Sequence, residues 1–151
     1  MTTDMLSWTR QQIETRKALA EEAHGASWAL QDQLIERTDG GADDRAALLD
    51  AEDRTELVSV TLPGPGLDED DLKHIAFNDP RQIIADCEAD LGILDDHEPG
   101  WAGLKRDVRV CMACDVKRGD RWPCRTVRRI ASRYRHRDGY LPEWAPEGTT
   151  P

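Results

Sequence analysis

The chain has 151 residues, of which 38% are hydrophobic and 33% are charged, with five Trp but a single Phe. This length allows one modest core, so we expect a single domain over residues 1–151. The N-terminus lacks the apolar core of a signal peptide and no apolar run has the length of a membrane helix, so we expect a cytoplasmic protein.

The net charge of -10 is unevenly distributed along the chain. Residues 1–98 carry 24 acidic and 8 basic side chains, whereas residues 99–151 carry 6 acidic and 12 basic ones. The first interpretation is that the two parts attract each other within one fold, because a tethered segment is present at high effective concentration. The second is that the basic C-terminal segment contacts a polyanion.

The N-terminal part, 1–62, is predicted to hold one helix and two strands. Asp4 can cap a helix over 4–23, which His24-Gly25 would end, and its apolar stripe includes Leu6, Ile13 and Ala20. A strand is expected from Trp28 to Ile35, and the alternating residues from Glu56 to Leu62 favour a second strand. The pattern of residues 38–55 fits helix, strand or loop equally well.

The middle part, 67–97, is predicted to form a helical core after a break at the Pro-Gly-rich residues 63–66. Asp68 can cap a short helix that ends near Phe77. Asp79 as N-cap and Pro80 as the first helical residue then start a long helix. That helix has an apolar stripe made of Ile83, Ile84, Cys87, Leu91 and Leu94.

The C-terminal part, 98–151, contains the four-residue motif Cys111-Met112-Ala113-Cys114 and a last helix from about Cys124 to Tyr134. The inward side of this helix is expected to be Val127, Ile130, Ala131 and Tyr134. The tail is aromatic and should pack back on the protein through Tyr140, Leu141 and Trp144. Together these elements predict an α+β fold of three to four helices, with a small antiparallel sheet or hairpin and a C-terminal zinc knuckle.

Three cysteines are placed by local geometry to bind one metal ion. Cys111 and Cys114 have the spacing that points two sulfurs to one spot around a tight turn. Cys124 opens a helix, whose N-terminus favours the thiolate that a metal binds. We therefore expect a structural zinc site on Cys111, Cys114 and Cys124.

The fourth ligand is not local in sequence. His97 follows the long helix and can reach back to the cysteines, so it is the preferred candidate. His136 follows the last helix and is sterically possible. Cys87 lies on an apolar stripe, where a free Cys is ordinarily a small buried hydrophobe. Water or an acidic side chain completes the alternatives.

Other uses of these cysteines fit the sequence less well. Disulfides are disfavoured because there is no secretory signal, and a redox pair lacks the thioredoxin context of a strand feeding a helix. A catalytic zinc needs an open position and a base, and the nearby Asp115 and Asp120 are ordinary loop acids. The sequence has no P-loop, Gly-x-Ser-x-Gly or His-Glu-x-x-His motif, so we do not expect an enzyme.

Two segments resemble a known family. One runs from His74-Ile75-Ala76 through Asp79-Pro80 to His97, and the other is the pattern Pro123, Cys124, Thr126, Arg128, Ala131, Tyr134, His136, Tyr140 and Trp144. They are similar to small proteins of actinobacteria and their phages that are catalogued only as a domain of unknown function. The resemblance implies a phage or actinobacterial source and a shared metal quartet of His97, Cys111, Cys114 and Cys124. It implies no activity.

Two functions are compatible with these features. The first is a zinc-stabilised accessory module that binds another protein, for which a bacterial host factor would be a natural partner of a phage product. The alternative is a nucleic-acid-binding protein that contacts phosphates through the outward side of the last helix, with Arg125, Arg128, Arg129 and Arg133.

Overall fold

The structure, a computed structural model, describes residues 4–23, 25–36, 42–62, 68–102, 108–114, 122–146 and 148. In these ranges the chain forms four α-helices and five strands: α1 Met5–Glu21, β1 Trp28–Glu36, β2 Ala42–Asp50, β3 Glu56–Leu62, α2 Glu69–Phe77, α3 Pro80–Asp96, β4 Pro99–Ala102, β5 Val108–Cys111 and α4 Arg125–Ser132. A short 3-10 helix, Pro142–Trp144, follows. The predicted α+β class is confirmed.

The chain divides into two compact units, one made of Met1–Arg16 with Cys87–Pro151 and the other of Lys17–Asp86. We call them the first and the second unit. The expected single domain stays a prediction, and the predicted break at 63–66, like His24, lies outside the described residues. None of the described helices is long and apolar enough to cross a membrane.

The second unit contains an antiparallel sheet with the strand order β1-β2-β3. Its central strand, β2, lies in the stretch whose structure the sequence left open. All five residues from Ala46 to Asp50 are buried, so the strand lacks the alternation of polar and apolar residues by which a half-buried strand is recognised. Ala46 and Leu48 form a buried cluster with Leu72 of α2.

Two aspartates start the helices α2 and α3, as their positions predicted. The Asp68 carboxylate accepts a hydrogen bond from the Asp71 amide at 2.9 Å, and the Asp71 carboxylate accepts one from the Asp68 amide at 3.0 Å. Asp79 accepts from the Gln82 amide at 2.8 Å and, through its other oxygen, from the Ser27 hydroxyl at 3.0 Å. These caps satisfy amides that a helix start leaves unpaired.

The first unit is built on an aromatic cluster of Trp8, Tyr140 and Trp144. Their ring centroids lie 5.2 to 5.8 Å apart, and the Trp8 indole donates to the Asp138 carbonyl at 3.3 Å. The expected packing of the aromatic tail is therefore present. Of the predicted stripe of α1, Ile13 is fully buried, whereas Leu6 and Ala20 are half-buried.

Helices α3 and α4 turn their predicted stripes inward to different depths. The predicted stripe of α3 is fully buried at Cys87 and Leu94 and half-buried at Ile83, Ile84 and Leu91. The predicted inward side of α4 is buried throughout, at Val127, Ile130, Ala131 and Tyr134. A hydrophobic stripe at helical spacing therefore predicts the inward side of both helices, but not how deeply each residue is buried.

Replacement of Gly139 by Ala should destabilise the first unit. Gly139 has φ +88°, and an added Cβ would lie 2.8 Å from Trp8 Nε1. We expect the free energy of unfolding to fall by about 1–3 kcal/mol, because a left-handed residue with a side chain is strained and the indole must also move. Urea denaturation followed by Trp fluorescence measures the change.

The matched control is Gly92→Ala in α3. Nothing lies within 4 Å of a Cβ added there, so Ala should raise the stability by about 0.5–1 kcal/mol through its better helix propensity. Equal effects of the two substitutions would contradict the packing described for the aromatic cluster.

Candidate metal centre

Four side chains of the first unit meet at one point. His97 directly follows α3, Cys111 ends β5, Cys114 lies in the turn after it, and Cys124 is the N-cap of α4. Their ligand atoms all lie within 4.8 Å of one another. The structure thus brings together a His and three Cys that are up to 27 positions apart in sequence.

The β4–β5 hairpin brings His97 to the first cysteine. In its register Pro99 pairs with Cys111, and one step further the Met112 amide donates to the Glu98 carbonyl at 3.0 Å. The pairing therefore continues to the residue next to His97. Because α3 ends just before the hairpin begins, its C-terminus is fixed beside the Cys-x-x-Cys turn.

A second backbone contact brings in Cys124. The Trp122 amide donates to the Arg109 carbonyl of β5 at 3.1 Å, which holds the residues before α4 against the hairpin. Cys124 has an extended backbone with φ -71° and ψ 167°, and its side chain makes no capping hydrogen bond. Its sulfur is thus available to the cluster.

The spacing of the four ligand atoms fits a tetrahedral ion. His97 Nδ1 lies 3.3 Å from the Cys111 sulfur, 3.6 Å from that of Cys114 and 3.5 Å from that of Cys124. A tetrahedral zinc with ordinary bond lengths would hold nitrogen and sulfur about 3.6 Å apart. A single imidazole N–H cannot point at three sulfurs at once, whereas an ion at the centre accounts for three similar distances.

The surroundings of the Cys114 sulfur disfavour its charged form when no cation is near. Burial raises the pKa of the Cys114 thiol to about 12, with the neighbouring Cys111 and Cys124 adding to the rise. Three thiolates in such a place repel one another unless a cation balances them. The chemistry of the donor set and its geometry therefore both accommodate a metal ion.

An arginine of α1 supports the segment that carries His97. Arg10 Nη2 lies 2.6 Å from the Asp95 carboxylate and 3.8 Å from that of Glu98. These acids lie on either side of His97 in the sequence, so the contacts orient the end of α3. Such outer contacts are a common means of fixing a metal ligand.

The other two candidates for the fourth ligand lie elsewhere. His136 is exposed after α4, and Cys87 is fully buried in α3. Within the described part of the chain, neither belongs to the cluster with Cys111. Asp115 and Asp120 lie outside the described residues.

Two of the four arginines proposed for nucleic-acid contacts make internal hydrogen bonds. Arg128 donates to the Pro123 carbonyl at 3.1 Å and to the Glu143 carbonyl at 2.7 Å. Arg133 Nη1 lies 2.6 Å and 2.5 Å from the two carboxylate oxygens of Asp90. Both side chains therefore help to hold α4 in place.

The other two arginines, Arg125 and Arg129, are exposed on α4. No ion pair joins either of them to another residue in the portion of the chain that is described. They remain the members of the predicted set that are available to a phosphate group.

Asp90 is the structural residue that the sequence reading missed. Its side chain is only 3% exposed and faces α4 from the middle of α3. The signal was its place between Cys87 and Leu94, on the same side of the helix at spacings of three and four residues. An acid on an apolar stripe requires a cationic partner, because an isolated buried charge is costly.

Comparison with known proteins identifies the family. A model described as a family of unknown function, DUF6221, matches residues 2–146. No curated protein matches the chain, and no solved structure does. The resemblance to a domain of unknown function is therefore confirmed, and it extends to the N-terminal helix as well.

Replacement of Arg133 by Ala should destabilise the first unit by about 1–3 kcal/mol, the range for a hydrogen bond to a buried charged group. The loss stays below that of a fully buried pair because the Arg133 side chain is 56% exposed and screened by water. Arg129→Ala, one turn earlier in α4, should change stability by less than about 0.5 kcal/mol. Thermal unfolding compares the two, and similar losses would disprove the role given to Asp90.

Proposed function

This chain belongs to the DUF6221 family, whose function is unknown, and we propose that it is a protein-binding module held in shape by a structural zinc ion. The observation that carries the zinc site is the position of His97 Nδ1, at similar distances from three cysteine sulfurs. The protein-binding role rests on the apolar side chains that the same region exposes.

Zinc is the ion that this donor set suits best. Three thiolates and one imidazole are a common zinc set, and they disfavour magnesium or calcium, which prefer oxygen ligands. Four protein ligands fill a tetrahedral ion, so no position is open for water or substrate. When bound, the ion would supply a rigid link rather than a reactive centre.

The link would join three elements of the first unit. His97 follows α3, Cys111 and Cys114 belong to the hairpin and its turn, and Cys124 starts α4. β4 and β5 have only four residues each, and a hairpin of that length is marginal by itself. The ion would fix the hairpin on the helices and so determine the positions of the side chains that the hairpin exposes.

That surface has side chains typical of protein interfaces. Trp101 is 58% and Met112 is 67% exposed, and Arg109 lies over the Trp101 ring with its guanidinium carbon 5.8 Å from the centroid. Trp, Met and Arg are enriched in interfaces and among residues that dominate binding energy. Trp101 is thus a large exposed side chain on a hairpin that the zinc ion would fix in place. This arrangement favours a protein partner.

Nucleic-acid binding is the second candidate. Arg125 and Arg129 are exposed on α4, and an exposed Trp beside Arg109 resembles a platform for stacking a base. Against it, Arg128 and Arg133 already bond within the first unit, which halves the predicted phosphate-binding set. We therefore rank it below a protein partner.

The zinc proposal predicts about one zinc ion per purified chain. Cys124→Ser and His97→Ala should lose most of the metal, since each removes one of four ligands. Their matched controls, Cys87→Ala and His136→Ala, change the same residue types outside the cluster and should keep it. Elemental analysis by plasma mass spectrometry measures the ratio, and zinc that persists in both ligand variants would disprove the site.

The interaction proposal predicts a partner that depends on the hairpin. The immobilised chain should retain a protein from an actinobacterial lysate, and the double change Trp101→Ala, Met112→Ala should weaken retention by about tenfold or more, as for an interface anchor. Phe77→Ala removes an apolar side chain that is exposed to a still greater extent and should have no effect. A partner that is retained equally by all three chains would contradict the assignment of the surface.

The purified chain also tests nucleic-acid binding against protein binding. A gel shift of single-stranded DNA or RNA at low salt, abolished by Arg125→Glu with Arg129→Glu, would favour that function over a protein partner. Arg125 and Arg129 are the positions to change, because substitution of Arg128 or Arg133 would also remove contacts that stabilise the fold. Without a shift at low salt, nucleic-acid binding is excluded for these arginines.

A further inference from the structure

One sulfur of the metal cluster differs from the other two in its access to solvent. Cys111 is 0% and Cys124 is 1% exposed, whereas Cys114 is only half-buried. Cys114 also follows Met112 and Ala113, which are both exposed. A solute can therefore reach the cluster at Cys114 first.

We infer that Cys114 is a site of oxidation by peroxides, and that Cys111 closes a disulfide with it and releases the zinc ion. This inference rests on the proposed zinc site, because the ion that oxidation would release is the one proposed there. It goes beyond that site by giving the cluster a sensitivity to a defined class of oxidant.

The choice of Cys114 follows from access. A peroxide oxidises the cysteine sulfur that it can reach, and Cys114 is the half-buried member of the cluster. Cys111 and Cys124 are buried, and Cys87 is fully buried on the apolar stripe of α3 and lies outside the cluster.

The reaction is a two-electron oxidation in two steps. The Cys114 thiolate attacks one oxygen of hydrogen peroxide, which forms an S–O bond, breaks the O–O bond and expels hydroxide. The Cys111 thiolate then attacks the Cys114 sulfur, forms the S–S bond and expels a second hydroxide. Two thiolates are oxidised by two electrons in all, and one peroxide is reduced to two hydroxides, which take up protons from solvent.

Cys111 is the better second cysteine because little has to move. It is separated from Cys114 only by the two exposed residues of the turn, and the ligand atoms of both already lie within 4.8 Å of each other. Cys124 is held at the start of α4, which is packed through buried Val127. Closing the turn therefore costs less rearrangement than drawing the helix toward Cys114.

The disulfide removes two of the four ligands. His97 and Cys124 alone make a weak site, because affinity for structural zinc depends on the full set of deprotonated ligands. The ion would leave, and the hairpin with Trp101 would lose the link that fixes it. Peroxide would thus alter the same surface that is proposed to bind a partner.

The test uses the full chain with Cys87→Ala, which leaves only the three cluster cysteines. Zinc content is measured first, and hydrogen peroxide is then added in the presence of dimedone, which traps sulfenic acids, and of a chromogenic zinc chelator. Peptide mass spectrometry should find dimedone on Cys114, followed by a Cys111–Cys114 disulfide and zinc release. Oxidation of Met112 does not interfere, since dimedone does not label methionine sulfoxide.

Two further variants test the roles of Cys114 and Cys111 separately. Cys114→His keeps a fourth ligand of a type zinc accepts but removes the exposed thiolate, so zinc release should be about tenfold slower or more. Cys111→His keeps Cys114 but removes the second cysteine, so dimedone on Cys114 should increase and no disulfide with position 111 can form. If Cys114→His fails to bind zinc, the order of dimedone labelling and zinc release in the Cys87→Ala chain decides whether the inference holds.

The outcomes separate the two proposals. A chain purified without zinc overturns both the site and this inference. A zinc-loaded chain in which dimedone first labels Cys111 or Cys124, or in which Cys114 stays unlabelled while zinc is retained, overturns only the inference. Dimedone on Cys114 before zinc release supports it.

Discussion

The convergence of one imidazole nitrogen and three sulfurs on a single point is the constraint on which the first unit depends. Its ligands come from the end of one helix, a short hairpin and the start of another helix. Structural zinc contributes on the order of 10 kcal/mol to folding in small zinc-binding peptides, comparable to the whole net stability of a domain. An ion here would therefore offset the low stability of four-residue strands and of a core with few aromatic side chains other than Trp.

The charge asymmetry of the chain is partly resolved inside the first unit. Arg133, the C-cap of α4, pairs with Asp90 of α3 and so joins residues 99–151 to residues 1–98. Arg10 of α1 contacts Asp95 within residues 1–98, and Arg128 donates to two backbone carbonyls. The Arg133–Asp90 pair favours the interpretation that basic and acidic segments attract each other within the fold. The internal contacts of Arg128 and Arg133 also show that a run of arginines does not by itself indicate phosphate binding, because some of these side chains are used within the fold.

Much of this architecture follows from local signals. Asp68 and Asp79 cap helices as expected, Cys87 and Leu94 of the α3 stripe are buried, and the Cys-x-x-Cys spacing places two sulfurs together. These features depend on neighbours within about one helical turn or one tight turn. Sequence reasoning therefore recovers them.

The features that the sequence did not reveal depend on distant residues. β2 is a central strand whose residues 46–50 are all buried, so it shows no alternation. β4 and β5 are short, and their pairing is fixed by neighbours such as Glu98 and Trp122 rather than by their own pattern. Asp90 is accommodated in the interior by Arg133, which lies 43 positions further along the chain.

X-ray absorption at the zinc edge of the purified chain tests the four-ligand site directly. A zinc ion on these side chains should show one nitrogen at about 2.0–2.1 Å and three sulfurs at about 2.3 Å, whereas a shell dominated by oxygen and nitrogen, or a protein without zinc, would contradict the site.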